Sequence, residues 1–565
     1  MPLMGSIYVG SSGLQTSNNA LNTAAHNLSN IETAGYTRQQ ILQGNKFYNK
    51  IGIASVSDMQ VGIGVDYTKC RQVRDEFLDA SYRKENGRCS FYEICSESTG
   101  EIETLLGEME GASFKESLAK LWTSVQELQK DPSSSITQGV FISTCAQFLE
   151  RASAVSAGLN NYQQNLNSRV TGMVEDINTI TDKIFDLNNK IQKYEIGVEE
   201  ANDFRDQRNY LLDQLSSKIS IKTVENVNGG VEIYAEGSPL LIGDTVTHLE
   251  VVPNDDGFYD VTWGPLYDHQ PVFNFHQTVS SELNTDIGEL KSLLFARGDH
   301  VANYSDLEKK DPNGVVPDEE YAYSYYNNGT KDTNDIPIAS SIVMNAQGQF
   351  DRLIHNMVTA INNVICDNAE YSDGTTSFEV FTRLGTERYA YDAVSGKNKY
   401  VVENADNSPS DVSTMYTISN IKINPDLLKQ PTLNKFIKDD KSVDFEKATK
   451  LMEIFAGTGK VMDLNKGVEI DAAWTINPNL NSKFGYIAFY DSVVGSMANV
   501  GSVYNSIVSS QNVTVDSLED SRQQVLGVSS EEELQNIIKF QNAYNASSRY
   551  INVINEMLEH IITQL

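Results

Sequence analysis

The chain ends in Ser529-Ser-Glu-Glu-Glu-Leu-Gln-Asn-Ile537-Ile-Lys-Phe540-Gln-Asn-Ala-Tyr544-Asn-Ala-Ser547-Ser-Arg-Tyr-Ile551-Asn-Val-Ile554-Asn-Glu-Met-Leu558-Glu-His-Ile561-Ile-Thr-Gln-Leu565. Ile537, Phe540, Tyr544, Ser547, Ile551, Ile554, Leu558, Ile561 and Leu565 recur at alternating spacings of three and four, and only Ser547 among them is not apolar. That repeat draws one apolar seam along a helix, as in a coiled coil. Gly527 precedes it, and Ser529-Ser530 before Glu531, Glu532 and Glu533 supplies a hydroxyl cap with first-turn carboxylates, so the helix is predicted to start near Ser530. At 1.5 Å per residue it is about 50 Å long.

The other end echoes it. Ile7, Leu14, Leu21 and Leu28 stand at intervals of seven, separated by small or polar residues (Gly10, Ser11, Ser17, Asn18, Ala24, Ala25) that let a second helix approach closely. This helix is predicted to stop near Ser29-Asn30, and Thr33-Ala-Gly35-Tyr36 reads as a turn in which Gly35 takes a positive φ. A single helix of either kind is marginal in water. The termini are therefore expected to be loose in the isolated chain and to order on each other and on neighbouring subunits. An ordinary coiled coil within one chain is the other arrangement this pattern allows.

Between the termini, proline marks the organisation. After Pro2 the next is Pro132, then none until Pro239, and the last is Pro478, which predicts long helices at both ends and irregular or β-rich structure in the middle. A third seam, through Leu166, Val170, Met173, Ile177, Ile180, Ile184, Leu187, Ile191 and Tyr194, predicts a long helix bundled with the regions around 90–130 and 485–525. From Ile219 the period changes to alternation, with Asn228-Gly-Gly230 and Gly237-Ser-Pro239 as turns, which predicts β-hairpins. Tyr321, Tyr323, Tyr325 and Tyr326 are read as a half-buried hairpin face, and Asp311-Pro-Asn-Gly314 and Asn327-Asn-Gly329 as loops.

Composition narrows the function classes. With 44 Lys and Arg against 76 Asp and Glu, the 565-residue chain carries a net charge of −32 and gathers no basic stripe, which argues against nucleic acid as a partner. No run of about 18 apolar residues exists, so no membrane insertion is expected. The start, Met1-Pro-Leu-Met-Gly-Ser6, has neither the basic nor the apolar region of a cleavable secretory signal. Cys70, Cys89, Cys95, Cys145 and Cys366 are scattered and odd in number, and read as buried or half-buried free thiols.

Catalytic and cofactor chemistry finds no pattern. GxxxxGK[ST], HExxH and GxSxG are absent, and Gly62-Ile-Gly64-Val-Asp-Tyr67 lacks the third glycine of a dinucleotide loop. The seven histidines are dispersed, and His269 and His276 fall on opposite faces of a strand. A calcium loop ending at Gly374 fails at Tyr371. No cofactor, no metal and no enzymatic activity are expected.

Ser11-Ser-Gly-Leu-Gln-Thr-Ser-Asn-Asn-Ala-Leu21 and Ala25-His-Asn27-Leu-Ser-Asn30-Ile-Glu-Thr33-Ala-Gly35-Tyr36-Thr-Arg-Gln39 resemble the N-terminal signature of bacterial flagellar axial proteins. In that family an Asn-x-x-Asn-x-x-Thr-x-Gly-Tyr/Phe turn follows an amphipathic helix; the matching residues here are Asn27, Asn30, Thr33, Gly35 and Tyr36. Gly62-Ile-Gly64-Val, Asp75-Glu-Phe-Leu78, Glu200-Ala-Asn202-Asp203-Phe-Arg-Asp206-Gln-Arg208 and Phe540-Gln-Asn-Ala-Tyr544 resemble further landmarks, the last two those of the junction subunits between hook and filament. Two departures stand out: Gln72 occupies the place of an arginine three before the aspartate, and Val528-Ser-Ser-Glu531 replaces a Val-Asn-Leu-Asp. Residues 367 to 480 match least.

The expected fold is α+β and multidomain: a coiled coil and helix bundle formed by both termini, with β-rich central domains inserted. Residues 1–44 with 521–565 form the terminal assembly domain, 45–219 with 481–520 a long helical bundle, 220–366 a β-rich middle with returning helices, and 367–480 an outer variable domain. The resemblance implies a structural subunit that assembles as a ring or tube through Ile7, Leu14, Leu21, Leu28, the Asn27–Tyr36 turn and the C-terminal seam. It implies contacts with the flagellar hook protein and a second hook-filament junction protein, a cytoplasmic export chaperone on the C-terminal helix, and type III export to the extracellular flagellum. The rival readings are another axial protein, hook or flagellin, and a secreted adhesin or hydrolase with its active part in 220–480.

Overall fold

The computed structural model describes residues 3–53, 58–107, 113–307 (apart from 198, 266–267, 276 and 278), 336, 338, 341–366, 377–384, 389–392, 397–400, 414–456 and 485–564. Tyr321, Tyr323, Tyr325, Tyr326, Asp311–Gly314, Asn327–Gly329, Tyr371, Gly374, His276 and Leu565 lie outside the described residues.

Helix α1 (Leu3–Ser29) leads into a β arm of β1 (Gln39–Asn45), β2 (Tyr48–Ile53), β3 (Asp58–Gly62) and β4 (Val65–Gln72). The arm is one long antiparallel hairpin: β1 pairs with β4, β2 with β3, and Lys46 N to Gly64 O and Ile63 N to Phe47 O join the two ladders. From residue 45 onward this arm departs from the long helical bundle expected over 45–219, which begins only at Glu76. The stretch Gln39-Gln-Ile-Leu-Gln-Gly-Asn45 does not alternate, so its strand pairing is set by the partner strand rather than by its own pattern.

The bundle follows: α2 (Glu76–Gly107), α3 (Phe114–Lys130), α4 (Ser135–Tyr194) and α5 (Asn202–Lys218). Helix α4, at 60 residues, is about 90 Å long. It begins well before the seam predicted from Leu166, because Ser134 just past Pro132 caps it by accepting from Ile136 N, and Phe141, Cys145, Phe148, Ala152 and Leu159 continue the buried stripe toward the N-terminus. Tyr194, placed on that seam by spacing, is exposed at its end.

The β-rich middle begins with a four-stranded antiparallel sheet, β5 (Ile221–Glu225), β6 (Val231–Ala235), β7 (Ser238–Ile242) and β8 (Thr245–Val246), in sequence order. A hairpin of β9 (Leu249–Pro253) and β10 (Tyr259–Trp263) follows. Asparagines on α4 pin these strands to the bundle. Asn188 donates to Val231 O (2.9 Å) and accepts from Val231 N (3.1 Å), Asn178 does the same with Leu249 (2.9 Å each way), and Asn167 accepts from Tyr259 N (3.0 Å). Each primary amide pairs with strand backbone that would otherwise be buried without partners.

Helices α6 (Glu289–Arg297) and α7 (Ile342–Ile365) return into the bundle, and α7 is buried over nearly its whole circumference. The chain then builds β11 (Phe381–Arg383), β12 (Tyr389–Asp392), β13 (Lys397–Tyr400), β14 (Ile421–Ile423), α8 (Pro425–Lys429) and α9 (Phe445–Ala456). Helix α10 (Tyr486–Leu526) closes the bundle along α2, and α11 (Ser530–Gln564) runs back beside α1. One core unites these layers: the ring of Phe114 meets Phe148 at 5.4 Å, Phe350 at 5.0 Å and Tyr490 at 4.9 Å, side chains from four helices. No helix among the described residues is long and apolar enough to cross a membrane. Cys89, Cys95, Cys145 and Cys366 are buried free thiols and Cys70 a half-buried one; burial pushes the thiols of Cys89 and Cys95 up to about 12, so they stay protonated and inert.

Candidate functional site

Helices α1 and α11 pack antiparallel. A Cβ on Gly10 would lie 2.6 Å from Ile551 Cγ1, and one on Gly13 would lie 2.9 Å from Ser547 Oγ, so the order of contacts along one helix reverses along the other. The buried face of α1 is its small one: Gly10, Ser17, Ala20 and Ala24 against α11, with Ser12 and Thr16 turned toward the β arm. Gly64, at φ +114°, permits that second contact, since a Cβ there would meet Ser12 Oγ at 2.1 Å.

The residues expected at the interface stand around this contact. Ile7, Leu14, Leu21 and Leu28 are half-buried on its flank, where glycine and alanine draw the two backbones together. On α11, Ile554 is 3% exposed and Ile537, Phe540, Ser547, Ile551 and Leu558 are half-buried, but Tyr544 and Ile561 are 36% and 44% exposed and lie off the contact. The cap is as the sequence predicts, with Ser529 Oγ accepting from Glu532 N at 3.4 Å.

The turn after α1 is a closed network. Asn27, 1% exposed, donates to Gln39 O (2.9 Å), accepts from Gln39 N (3.0 Å), and accepts from Tyr36 Oη (2.8 Å), on which His26 Nδ1 stands at 3.0 Å. Asn30 Nδ2 donates to His26 O and its Oδ1 accepts from Thr33 Oγ1 (3.1 Å). Gly35 has φ +76°, and a Cβ there would press on Tyr210 of α5 at 3.0 Å. The Asn27–Tyr36 set is thus brought together as a fold-back that sends the chain from the helix pair into β1. Asn27→Leu removes three hydrogen bonds at once and is expected to cost about 2–4 kcal/mol, read as a lowered denaturant midpoint together with lost exchange protection at the Gln39 amide.

Residues the sequence did not single out as contacts dock this unit on the bundle. Gln72 Nε2 donates to Asn202 O (2.8 Å) and Asp206 Oδ1 (2.7 Å), Asn202 Nδ2 to Cys70 O (3.2 Å), Gln39 Nε2 to Asp203 Oδ1 (3.0 Å), and Lys69 pairs with Glu200 (2.7 Å). Their signal in sequence is the (i, i+4) spacing of Asn202 and Asp206, which puts both on one helix face, within a stretch that resembles a family landmark, and the departure at Gln72. Desolvation pushes the Asp206 carboxyl up to about 7, against a smaller pull downward from the nearby Thr37. Burial likewise raises the Tyr36 phenol, helped by the charges of Asp206 and Asp203. A crevice of about 590 Å³ opens beside them, between the turn and helices α4 and α5.

Below the turn, α10 is tied to α2 and α5 by a buried ion cluster. Arg522 bonds Asp79 (3.0 Å), Asp213 (2.7 Å) and Glu519 (2.9 Å), and its guanidinium lies 4.2 Å from the centre of the Tyr82 ring; Arg83 reaches Asp213 (2.6 Å) and Arg74 reaches Asp79. Arg38 N donates to Leu526 O (2.8 Å), and its guanidinium pairs with Glu532 (2.8 Å), which closes the N-terminal and C-terminal links on each other. Among the described residues no group of three His, Cys, Asp or Glu side chains is placed to hold a metal ion.

Three family models match separate parts of the chain. Residues 99–381 match the family described as the flagellar hook-associated protein FlgK helical domain, 522–565 the C-terminal region of the basal body rod FlgEFG proteins, and 7–37 the flagella basal body rod proteins. The flagellar hook-associated protein 1 of Bacillus subtilis is 24% identical over 546 residues, covering 96% of this chain and 94% of the relative. That of Escherichia coli is 22% identical, covering 98% of each. The solved flagellar hook junction protein FlgK from Burkholderia pseudomallei superposes with a TM-score of 0.50 at 11% identity, over 80% of this chain and all of that one, which supports the fold. The match across half the chain, through the bundle and the β-rich middle, separates this protein from hook protein and flagellin: it belongs to the FlgK family of flagellar hook-associated proteins, structural subunits of the junction between hook and filament.

Proposed function

We propose that the α1–α11 pair is the assembly device, and that copies of this chain pack side by side through the outer faces of the pair to form a ring or tube. The observation that carries this reading is the apolar surface the pair leaves open. Tyr550, Val553, Met557 and Ile561, spaced by three, four and four, make a second stripe on α11, and Leu534, Ile538 and Tyr8 are likewise exposed. A two-helix pair buries one stripe per helix, and a second stripe is what a helix of a larger bundle carries.

In the assembled state the pair lies innermost and the β-rich middle projects outward. The hook protein and a second junction protein are the neighbours on either side, and the same C-terminal helix is held by an export chaperone before the chain leaves the cell. The role is mechanical rather than enzymatic: long helices carry load while the projecting layers adapt to two lattices.

A chain ending at Leu526 lacks α11 but keeps the Arg522 cluster, so it isolates the device. The full chain is expected to bind the ends of preformed hooks and the shortened chain to show no binding, with the bundle's circular dichroism melt retained in both. Equal binding by the two chains would move the contact to the bundle or the projecting domains.

A further inference from the structure

The terminal unit and the bundle are joined by a narrow polar seat. Helices α1 and α11 pack on each other, and α1 also on β1 and β4; beside the Arg38 link to Leu526 and the approach of Gly35 to Tyr210, their attachment to the bundle runs through the turn and arm residues that meet the first turn of α5. Within that seat two acceptor oxygens one helical turn apart, Asp206 Oδ2 and Asn202 Oδ1, are buried without a hydrogen-bond partner on side chains only 6% exposed. The donors near the Asp206 carboxyl are neutral: Gln72 Nε2 bonds Oδ1 at 2.7 Å, and the hydroxyl and amide of Thr37 stand close by with a pull smaller than the desolvation. A buried carboxylate with no cation and an orphaned oxygen is costly, whereas a carboxylic acid in the same place gains a donor where two acceptors lack one.

We propose that Asp206 is a protonation latch: with its carboxyl neutral, the Thr33–Gln39 turn and the β1–β4 arm seat on α5, and its ionisation loosens the seat so that the terminal pair can reorient against the bundle. The groups facing Asp206 leave this balance in place. Thr37, His26 and Tyr36 face it from the turn, Cys70 from β4, Arg74 from the link into α2, Lys183, Asp186 and Lys190 from α4 across the crevice, and Asp203 from its own helix. Arg74 lowers its affinity for the proton, yet desolvation dominates and the seated group titrates at about 7 in place of the ordinary 3.8. Between those values the seated form holds more protons than the released form. Seating therefore weakens as pH rises through that window and levels off above it.

The test is amide hydrogen exchange on the full chain. Protection of residues 36–39 and 70–73, taken relative to α4 amides in the same sample, is expected to fall on the order of 30-fold between about pH 5.5 and 8. Asp206→Asn keeps the carboxyl's shape without its charge and is expected to hold high protection across the range. Gln72→Arg supplies a guanidinium to the ionised form and is also expected to remove the slope, while His26→Gln keeps it. A flat wild-type profile, or an unchanged slope in Asp206→Asn, overturns the latch. Should Asp206→Asn fail to fold, the carbon-13 shift of the wild-type Asp206 carboxyl decides: a midpoint near 7 supports the latch, and one below about 5 sinks it.

Discussion

Arg522→Ala is expected to destabilise the protein by about 2–4 kcal/mol, because it takes one guanidinium out of a buried cluster and leaves Asp79 with Arg74 alone and Asp213 with Arg83 alone. Asp79 and Asp213 each lose a guanidinium bond, at 3.0 and 2.7 Å, in a place where the side chains of Arg522 and Asp79 are 7% and 6% exposed. The cluster joins the last turn of α10 to α2 and α5, so the loss should appear first as separation of α10 from the bundle. Urea unfolding followed by circular dichroism gives the magnitude. Adding Arg83→Ala to Arg522→Ala should deepen the loss, since Asp213 then has neither of the guanidinium groups that bond it. A single substitution that costs less than about 1 kcal/mol would mean that water reaches the cluster and screens it.

Gly10→Val should open the terminal pair. The first methyl-sized atom added at residue 10 already falls 2.6 Å from Ile551 Cγ1 and 3.1 Å from Tyr550 Cδ1, so α11 must move away along this part of its length. The helices have little else to hold them in the isolated chain, and a lone helix in water is marginal. Exchange protection of residues 545–560 is expected to fall to the level of an exposed helix, and binding to hook ends to fall with it. Gly10→Ala combined with Ile551→Ala restores the room and should restore most of the protection. If Gly10→Val leaves both readouts intact, the close approach is not what holds the pair.

What could be read in the sequence was what local chemistry decides. The cap at Ser529, the end of α1 near Ser29, the positive φ of Gly35 and the hairpins after Ile219 all depend on residues within a few positions of one another. The small residues whose spacing lets a second helix approach, Gly10, Ser17 and Ala24, make the buried face of α1 together with Ala20, while Leu14 and Leu21 stay half-buried beside it. Helix α4 was read short because Gly139, Gly158 and a scatter of Ser, Thr and Ala dilute its apolar period before Leu166. The β arm was missed from residue 45 because its strands are stabilised by each other. The seat on α5 needed Gln72 and Asp206, 134 positions apart, to be seen together. The replacement of an arginine by Gln72 was visible as a departure, but its meaning depends on the carboxyl it faces.

The antiparallel pairing of α1 with α11 also fixes an order of events. Gly10 meets Ile551, so a partner for the first helix exists only when the chain is almost complete. Contacts of such sequence separation form late and slowly, whereas the α2–α5 helices and the hairpins after them close over short loops. The terminal pair therefore acts as a completeness check: a chain that stops anywhere before its last few dozen residues can fold a bundle, yet it leaves its first helix without a mate.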